Sequence, residues 1–489
     1  MSKLYLGIDF GNTNLKVSTL LEGQKDPKMK SIVTQHGKGD KLQKNIVFYS
    51  EKGETIIGER GLNESYKNTV IGIKRKLELE SWKKKIENLD SNKNSRDVVA
   101  DILRTIKEKI SKDNGDKKIT AAVITVPVNF SEVQKDIIRG AARDVQLELK
   151  AIITEPVAAA IEYGVLDELE DGQKSLVFDF GGGTLDFALF EYEEDGDRKK
   201  IEICGSMGID FGGNSIDKYI YENDFLPKID ISQFNDEEMK EIEKTVMGEI
   251  SYKKELLFID EEEEVEIIVN DALFNYKCDS IIFTIEKDKI YKWFEEIEIR
   301  EKIIRILDEI LYDSDTEKDE ISFVRMIGGS SRIKYFQKIL EDYIDDEDIF
   351  SEDDIDEDEL YSSVCNGAVR YLMALDDEDG SLEIEDRISY DIGIKLENKK
   401  FKVLVSKNSK YDDYTSLKPF PQDGKITLYQ RFKDMDGEDK EVYIGKIETD
   451  FNKYDNAIYY KIGTNRYGEI SCRIYESPNL NEIKQEIVI

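Results

Sequence analysis

Residue types that build metal and nucleophile sites are scarce in this sequence. It has one histidine, His36, and four cysteines, and no two of the cysteines have metal-ligand or redox spacing. This argues against a zinc site or a Cys–His nucleophile. Scattered single cysteines are typical of a reducing compartment.

Long apolar runs and an excess of basic charge are also missing. No segment approaches the ~20 apolar residues of a membrane-spanning helix, and the N-terminus lacks the pattern of a secretion signal. The 489-residue chain has 105 Asp and Glu against 70 Lys and Arg, a net charge of −35. We therefore expect a cytoplasmic protein with neither a membrane nor nucleic acid as a partner.

The sequence changes character along its length, which predicts more than one domain. Up to residue 375, strand-like and helix-like segments alternate. An acidic tract at 341–359 predicts a solvated helix or loop, and residues 376–386 resemble an acidic linker. Short alternating segments in 387–489 predict a small all-β domain. Its strand-like segments are 401–405, 426–429, 442–447, 457–462 and 469–475.

Two turns share one pattern. A strand-like run ends in DFGNT at residues 9–13, another ends in DFGGGT at residues 179–184, and each is followed by a second strand-like run. Both predict a β-hairpin with a glycine-rich turn. Such a turn occurring once is more often a plain tight turn, but the repetition predicts two duplicated lobes facing one another.

A third glycine element strengthens a phosphate-binding interpretation. GGSSR at residues 328–332 follows the predicted strand 321–327 and precedes a predicted helix, an order that presents backbone N–H groups to an anion. Glycines allow close approach to phosphate oxygens, and an Asp at a strand end can hold Mg²⁺ through water. Together the three elements predict a nucleotide site.

Between the two turns, the apolar run 119–126 predicts a buried strand that ends at Pro127. Ser131 with Gln134 three residues later predicts a helix start. A second helix is predicted from Glu155, because Pro follows it in the first turn.

Four blocks of sequence resemble the nucleotide-binding domain of the 70-kDa heat-shock chaperones, within the actin and sugar-kinase superfamily. They are residues 7–14 (GIDFGNTN), 124–127 continuing to 155–161 (ITVP, EPVAAAI), 178–186 (FDFGGGTLD) and 328–332 (GGSSR). They follow the family's order. The resemblance implies an α/β two-lobed actin-like ATPase domain over 1–375, with ATP and Mg²⁺ as cofactors.

The resemblance also implies roles for individual residues. Asp9 and Asp179 would hold Mg²⁺ through water, Lys74 would orient the γ-phosphate and the attacking water, and Glu155 would help to arrange both. Asp179 and Thr184 would join Lys74 and Glu155 in catalysis. The other residues expected to contact ATP are Gly11, Asn12, Thr13, Asn14, Gly182, Gly183, Lys253, Lys254, Gly329, Ser330 and Arg332.

The sequence departs from the family at several of these positions. Asn12 replaces the Thr of many relatives, and Leu257 replaces a Ser near the expected adenosine contacts. Pro127 would be the family's switch proline. Lys135 occupies the basic relay position that is usually Arg, and it lacks the planar guanidinium.

The region 387–489 resembles the family's peptide-binding β-sandwich, but less closely. The linker has only Leu382 and Ile384 as apolar residues, and the loop 395–400 is charged where relatives have small and apolar residues. The sequence ends at Ile489, directly after the β-domain, so we expect no helical lid. A lidless domain would bind extended peptide more transiently.

Three hypotheses remain open from the sequence. The first is a lidless chaperone-type ATPase whose partners are unfolded or extended polypeptides and co-chaperones. The second is a nucleotide-dependent interaction or scaffold protein whose β-domain docks one dedicated partner. The third, an actin-like filament former or a sugar kinase, leaves the β-domain unexplained.

Overall fold

The computed structural model describes residues 3–30, 42–78, 81–166, 169–196, 198–259, 262–275, 277–344, 357–376, 380–477 and 479–489. The strands are β1 Leu4–Phe10, β2 Asn14–Leu21, β3 Lys28–Lys30, β4 Gln43–Lys44, β5 Ile46–Tyr49, β6 Thr55–Ile57, β7 Thr69–Ile71, β8 Lys83–Ile86, β9 Ser91–Asn94, β10 Ala121–Val126, β11 Leu149–Thr154, β12 Lys174–Phe180, β13 Leu185–Asp195, β14 Arg198–Ile209, β15 Glu264–Val269, β16 Ile281–Glu286, β17 Ile321–Ile327, β18 Leu382–Glu385, β19 Asp391–Lys395, β20 Phe401–Val405, β21 Lys418–Pro419, β22 Lys425–Lys433, β23 Asp439–Glu448, β24 Ile458–Thr464, β25 Ile470–Glu476 and β26 Ile483–Val488. The helices are α1 Ser95–Asp113, α2 Glu132–Asp144, α3 Glu155–Leu166, α4 Gly213–Ile220, α5 Asp236–Ile259, α6 Lys287–Glu296, α7 Ile299–Asp313, α8 Lys334–Ile344 and α9 Glu357–Asp376. None of the described helices combines the length and the apolar character that crossing a membrane requires.

Two mixed sheets repeat one arrangement of strands. In the first sheet, ordered β11-β10-β1-β2-β3, strand β1 is antiparallel to β2 and parallel to β10. In the second, ordered β17-β12-β13-β14-β18, strand β12 is antiparallel to β13 and parallel to β17. Asp9 and Asp179 therefore occupy equivalent places near the ends of their strands. The repeated strand arrangement is in keeping with the predicted duplication, and we call the elements packed around the two sheets the first lobe and the second lobe.

Each sheet has its own apolar core, and two helices lie between the sheets. α3 packs against α9 and against β12, β13 and β14, while α9 also packs on β1 and β2. Apolar residues from both sheets join these helices in one buried cluster. The lobes are therefore connected through α3 and α9 at their base.

Local sequence signals place several of these elements correctly. The Ser131 side chain accepts a hydrogen bond from the backbone N–H of Gln134, and the Gln134 side chain accepts one from Ser131, so α2 begins with the predicted capping box. The predicted strand run 119–126 contains β10, which begins two residues later at Ala121, and α3 begins at Glu155 as predicted. The predicted strand 321–327 is β17.

The C-terminal β-region consists of two antiparallel sheets that share one core. Their strand orders are β20-β19-β22-β23 and β21-β24-β25-β26. Apolar side chains from both sheets, such as Ile392, Leu428 and Ile462, are fully buried between them. Each of the five segments predicted to be strands overlaps one of β20, β22, β23, β24 and β25.

The segment read as a linker contains regular structure. Leu382–Glu385 forms β18, which pairs in parallel with β14 at the edge of the second sheet. The carboxylate of Glu385 forms ion pairs with Lys200 in β14 and with Lys410 in the β-region. Residues 377–379 of the predicted linker, and 345–356 of the predicted acidic helix or loop, lie outside the described residues.

Candidate functional site

The two matched turns contact each other across the space between the lobes. Thr13 Oγ1 donates to Oδ1 of Asn214 at 3.4 Å, which links the first turn to the second lobe. A Cβ atom on Gly182 would lie 2.0 Å from Thr13 Oγ1, and one on Gly183 would lie 2.5 Å from Asn12 Nδ2. Both glycines are therefore required by this close approach, whatever their backbone angles.

The third glycine element joins the second turn. Ser330 Oγ donates to the carbonyl oxygen of Gly181 at 3.0 Å. Gly328 has φ +83°, and a Cβ there would lie 2.4 Å from the carbonyl oxygen of Phe180. Behind the turn, Phe180 packs on Phe336 with ring centroids 4.4 Å apart. The aromatic core thus fixes where the second turn and the third element meet.

A fourth glycine element, Gly212-Gly213, was not predicted from the sequence and packs against the second turn and the third element. A Cβ on Gly212 would lie 2.6 Å from the backbone of Gly182, and one on Gly213 would lie 2.7 Å from Ser330 Oγ. The available signal was the pair Gly212-Gly213 at the start of the helix α4, where Gly212 is the N-cap, since the third element also places glycines near the start of a helix.

These elements enclose a cleft of about 1000 Å³ between the lobes. Most of the residues predicted to bind ATP line it. They are Asp9, Gly11, Asn12, Thr13, Asn14, Lys74, Glu155, Asp179, Gly182, Gly183, Thr184, Lys254, Gly329, Ser330 and Arg332.

Lys253 is not among the residues that line the cleft, although its neighbour Lys254 is. Lys254 is buried, pairs with Asp217 at 2.6 Å and donates to the carbonyl oxygen of Gly213 at 2.7 Å. Lys254, which lies in α5, therefore connects α5 to α4. The next turn of α5 brings Phe258 and Ile259 to the cleft.

Buried carboxylates meet at the floor of the cleft. Burial, together with the charges of Glu155 and Asp186, raises the pKa of Asp179 well above its usual range. Burial and Glu155 raise the pKa of Asp186 to about 8. Lys74 forms an ion pair with Glu155, and Lys16 pairs with Asp9 at 2.6 Å. These two lysines offset Glu155 and Asp9, whereas Asp179 and Asp186 hold protons more tightly than ordinary carboxyl groups, so a cation bound at this floor would compete with those protons.

Lys16 is a cleft residue that the motifs did not reveal. Lys16 lies directly opposite Asp9 in the β1–β2 hairpin. The strand register therefore places the two side chains close enough to form their ion pair. This contact could have been found from the sequence by pairing the two predicted strands of the hairpin and identifying the residue opposite Asp9.

The donor groups of the cleft fit ATP with Mg²⁺. Asn12 Oδ1 is buried without a hydrogen-bond partner and could accept one from metal-bound water. Within the described residues, no group of three or more His, Cys, Asp or Glu side chains could hold a metal ion.

Comparison with known protein families identifies the family of this chain. The family model described as "Hsp70 protein" matches residues 5–418. This chain belongs to the Hsp70 family. The match covers the cleft residues of both lobes, β18 and the first strands of the β-region, so family membership does not depend on the turn motifs alone.

A named Hsp70 relative is similar over much of this chain. The chaperone protein DnaK of Buchnera aphidicola subsp. Schizaphis graminum is 26% identical over 423 residues, which cover 78% of this chain. The match spans 62% of the length of that relative.

In this Hsp70 chain, a buried ionic cluster lies between the first lobe and the β-region. The carboxylate of Glu132 accepts hydrogen bonds from Lys135 at 2.7 Å, Arg139 at 3.2 Å and the hydroxyl of Tyr390 at 2.5 Å. Burial raises the pKa of Glu132, but the two cations outweigh it and lower that pKa to about 2. The basic position Lys135 thus acts within a cluster that includes the β-region.

Hydrogen bonds connect the cleft floor to this cluster through a short segment. Asp186 accepts a hydrogen bond from the backbone N–H of Val128 at 3.1 Å, directly after Pro127. Four residues later, the backbone N–H of Glu132 donates to Oε1 of Gln430 in the β-region at 3.1 Å. The cleft and the β-region therefore contact the two ends of one short segment.

Proposed function

We propose that this Hsp70 chain binds and hydrolyses Mg-ATP in the cleft between its lobes. The observation that carries the proposal is the convergence of glycine elements from both lobes on a floor of buried carboxylates. Within the superfamily, an ATPase of the Hsp70 type accounts for this cleft together with the C-terminal β-region, whereas a sugar kinase or filament former leaves the β-region unexplained.

Residues at different positions in the cleft would bind the phosphates, orient the attacking water and position Mg²⁺. Backbone N–H groups of the turns at residues 11–14 and 181–184 would bind phosphate oxygens from opposite sides. Lys74, held by its ion pair with Glu155, would orient the γ-phosphate and the attacking water. Asp9 and Asp179 would orient water bound to Mg²⁺, and bound Mg²⁺ would neutralise phosphate charge. Phosphoryl transfer depends chiefly on such positioning and charge neutralisation.

The Lys74→Ala variant tests this assignment. We expect ATP turnover to fall by at least about 100-fold, since positioned charges contribute on this scale, while ATP binding persists. Lys76→Ala is the matched control, because Lys76 is close in sequence but does not line the cleft. Turnover unchanged by Lys74→Ala, in protein whose thermal unfolding is normal, would refute the role.

We further propose that nucleotide state controls polypeptide binding by the β-region, as in a chaperone. Support comes from the contacts of the β-region with both lobes: Tyr390 with Glu132 in the first, and Lys407 with Glu309 and Asp313 in the second at 2.8 and 2.7 Å. The strand β18 on the second sheet adds a backbone connection. A change in lobe closure would strain these contacts.

A dedicated-partner scaffold is the second candidate, and the charged loop 395–400 favours it. Lys395 pairs with Glu441 at 2.9 Å and lies over the ring of Tyr429 at 4.6 Å, which gives this edge a polar character. Binding of a panel of unfolded peptides to the full chain, with ATP, with ADP and without nucleotide, separates the candidates. Peptide binding that changes with nucleotide supports the chaperone, and absence of binding in every state supports the scaffold.

A further inference from the structure

The hairpin formed by β22 and β23 is the longest in the C-terminal β-region among the described residues, and its turn is well braced. Its strands pair from Lys425 with Glu448 to Lys433 with Asp439. In the turn, Asp434 Oδ1 accepts hydrogen bonds from the backbone N–H groups of Asp436 at 3.0 Å and Glu438 at 2.9 Å. These hydrogen bonds give the turn at the tip of the hairpin a defined conformation.

The middle of this hairpin is attached to the first lobe. Gln430 is fully buried, and its Oε1 accepts the hydrogen bond from the backbone N–H of Glu132 at the start of α2. A buried side chain held by a helix N–H is a specific contact, because losing it would leave both groups unsatisfied.

The tip of the hairpin is attached to the second lobe. Arg305 in α7 donates to the carbonyl oxygens of Met435 at 2.8 Å and Asp436 at 3.2 Å. Lys302, one turn earlier, pairs with Asp436 at 2.9 Å. Met435 also packs against the core of the second lobe. Two cations of one helix thus hold the tip through backbone and side-chain acceptors.

Between these two attachments the hairpin borders the nucleotide cleft. Its residues that line the cleft are Phe432, Asp434, Lys440, Val442 and Tyr443. The same cleft is lined from the first lobe by Arg75 and Glu78 and from the second lobe by Asp210.

We propose that the β22–β23 hairpin is a strap that holds the two lobes together across the cleft, so that bound nucleotide leaves quickly only after the tip releases α7. The two lobes are joined at their base by α3 and α9, and the strap joins them a second time at the cleft. Separating the lobes to free a nucleotide must then break the Gln430 contact or the α7 contact. The α7 contact is the more exposed of the two and would break first. This inference rests on the proposed nucleotide site.

The experiment measures dissociation of a fluorescent ADP analogue from the full chain after mixing with excess unlabelled ATP. Arg305→Ala removes two hydrogen bonds donated by a charged group and should speed dissociation about tenfold. Arg300→Ala is the matched control, since Arg300 lies on the same helix but pairs with Asp342 in α8 at 2.9 Å. It should leave the rate unchanged.

A charge exchange gives a second measurement that does not depend on removing a side chain. Lys302→Glu and Asp436→Lys should each speed dissociation a few-fold by placing like charges together. The double variant restores an opposite pair and should return the rate toward that of the parent chain.

The outcomes separate this inference from the proposed function. If the parent chain binds the analogue and Arg305→Ala releases it no faster than Arg300→Ala, the strap is refuted and the nucleotide site stands. If the double exchange is as fast as the two single changes combined, the tip contact does not set the rate and the strap is refuted again. If the parent chain binds no nucleotide, the proposed function fails and the strap fails with it.

Discussion

Replacing Tyr390 by Phe removes one hydroxyl from the junction between the β-region and the first lobe. That hydroxyl donates to the carboxylate of Glu132, and both side chains are buried. The ring remains, so the change creates no large cavity. Lys135 and Arg139 still form ion pairs with Glu132, so its buried negative charge stays compensated.

The expected size of the effect follows from the character of this bond. A hydrogen bond to a charged group contributes about 1.5–3 kcal/mol, and each 1.4 kcal/mol is a factor of ten in an equilibrium. If the contact exists only while the β-region is docked, Tyr390→Phe should favour the undocked state by roughly 10- to 150-fold. The shift should be similar with and without nucleotide, because Tyr390 does not line the cleft.

Amide hydrogen exchange in Leu382–Glu385 reports this equilibrium, because β18 is protected by β14 only when it is paired. We expect faster exchange there in Tyr390→Phe. Tyr454→Phe is the control, since its hydroxyl donates to Gln485 within the β-region at 2.9 Å and should leave β18 unaffected. Equal exchange in β18 of the parent chain and Tyr390→Phe would refute the reasoning.

Three further predictions concern the cleft and the junction. Asp9→Asn and Asp179→Asn should each lower ATPase activity and raise the Mg²⁺ concentration needed for half-maximal turnover; wild-type Mg²⁺ dependence in both would contradict the shared metal. Gly183→Ala places a Cβ 2.5 Å from Asn12 Nδ2, so ATP affinity measured by calorimetry should fall at least tenfold. Gly248→Ala is the control, because a Cβ there meets only an ordinary contact with Leu62 at 3.9 Å. Burial raises the pKa of Asp386 to about 6, despite the hydrogen bond from the backbone N–H of Arg387. The folded state therefore binds this proton more tightly than the unfolded chain, and ionised Asp386 costs up to about 3 kcal/mol above pH 6. Asp386→Asn should raise the Tm at pH 7.5, and the gain should shrink as the pH falls from 6 to 4; a gain independent of pH would exclude this cause.

The parts of the cleft that depend on a few consecutive residues were predicted from the sequence. The turns after Asp9 and Asp179, the capping box at Ser131 and the start of α3 each depend on a few consecutive residues, and each was predicted. A glycine-rich turn carries its own signal because its backbone geometry and close contacts exclude most side chains.

Contacts between distant segments could not be predicted in the same way. Nothing near Lys302 or Arg305 indicates that α7 holds the turn after Lys433, more than one hundred residues later. The β18 strand was also missed, because its alternating Glu and apolar residues resemble a linker until β14 supplies the hydrogen bonds. The family resemblance assigned Lys254 to the ATP site, but nothing near it in the sequence indicates that it pairs with the distant residue Asp217.

The pairing of β18 with β14 also bears on the solubility of the chain. When β18 leaves, β14 becomes the edge of the second sheet and presents unpaired N–H and C=O groups, which another chain can extend. The released edge carries Lys199 and Lys200, and charges at such positions oppose strand addition. If β18 separated from β14, the cost would include this newly exposed edge as well as the lost contacts, and Lys199 and Lys200 would oppose self-association there.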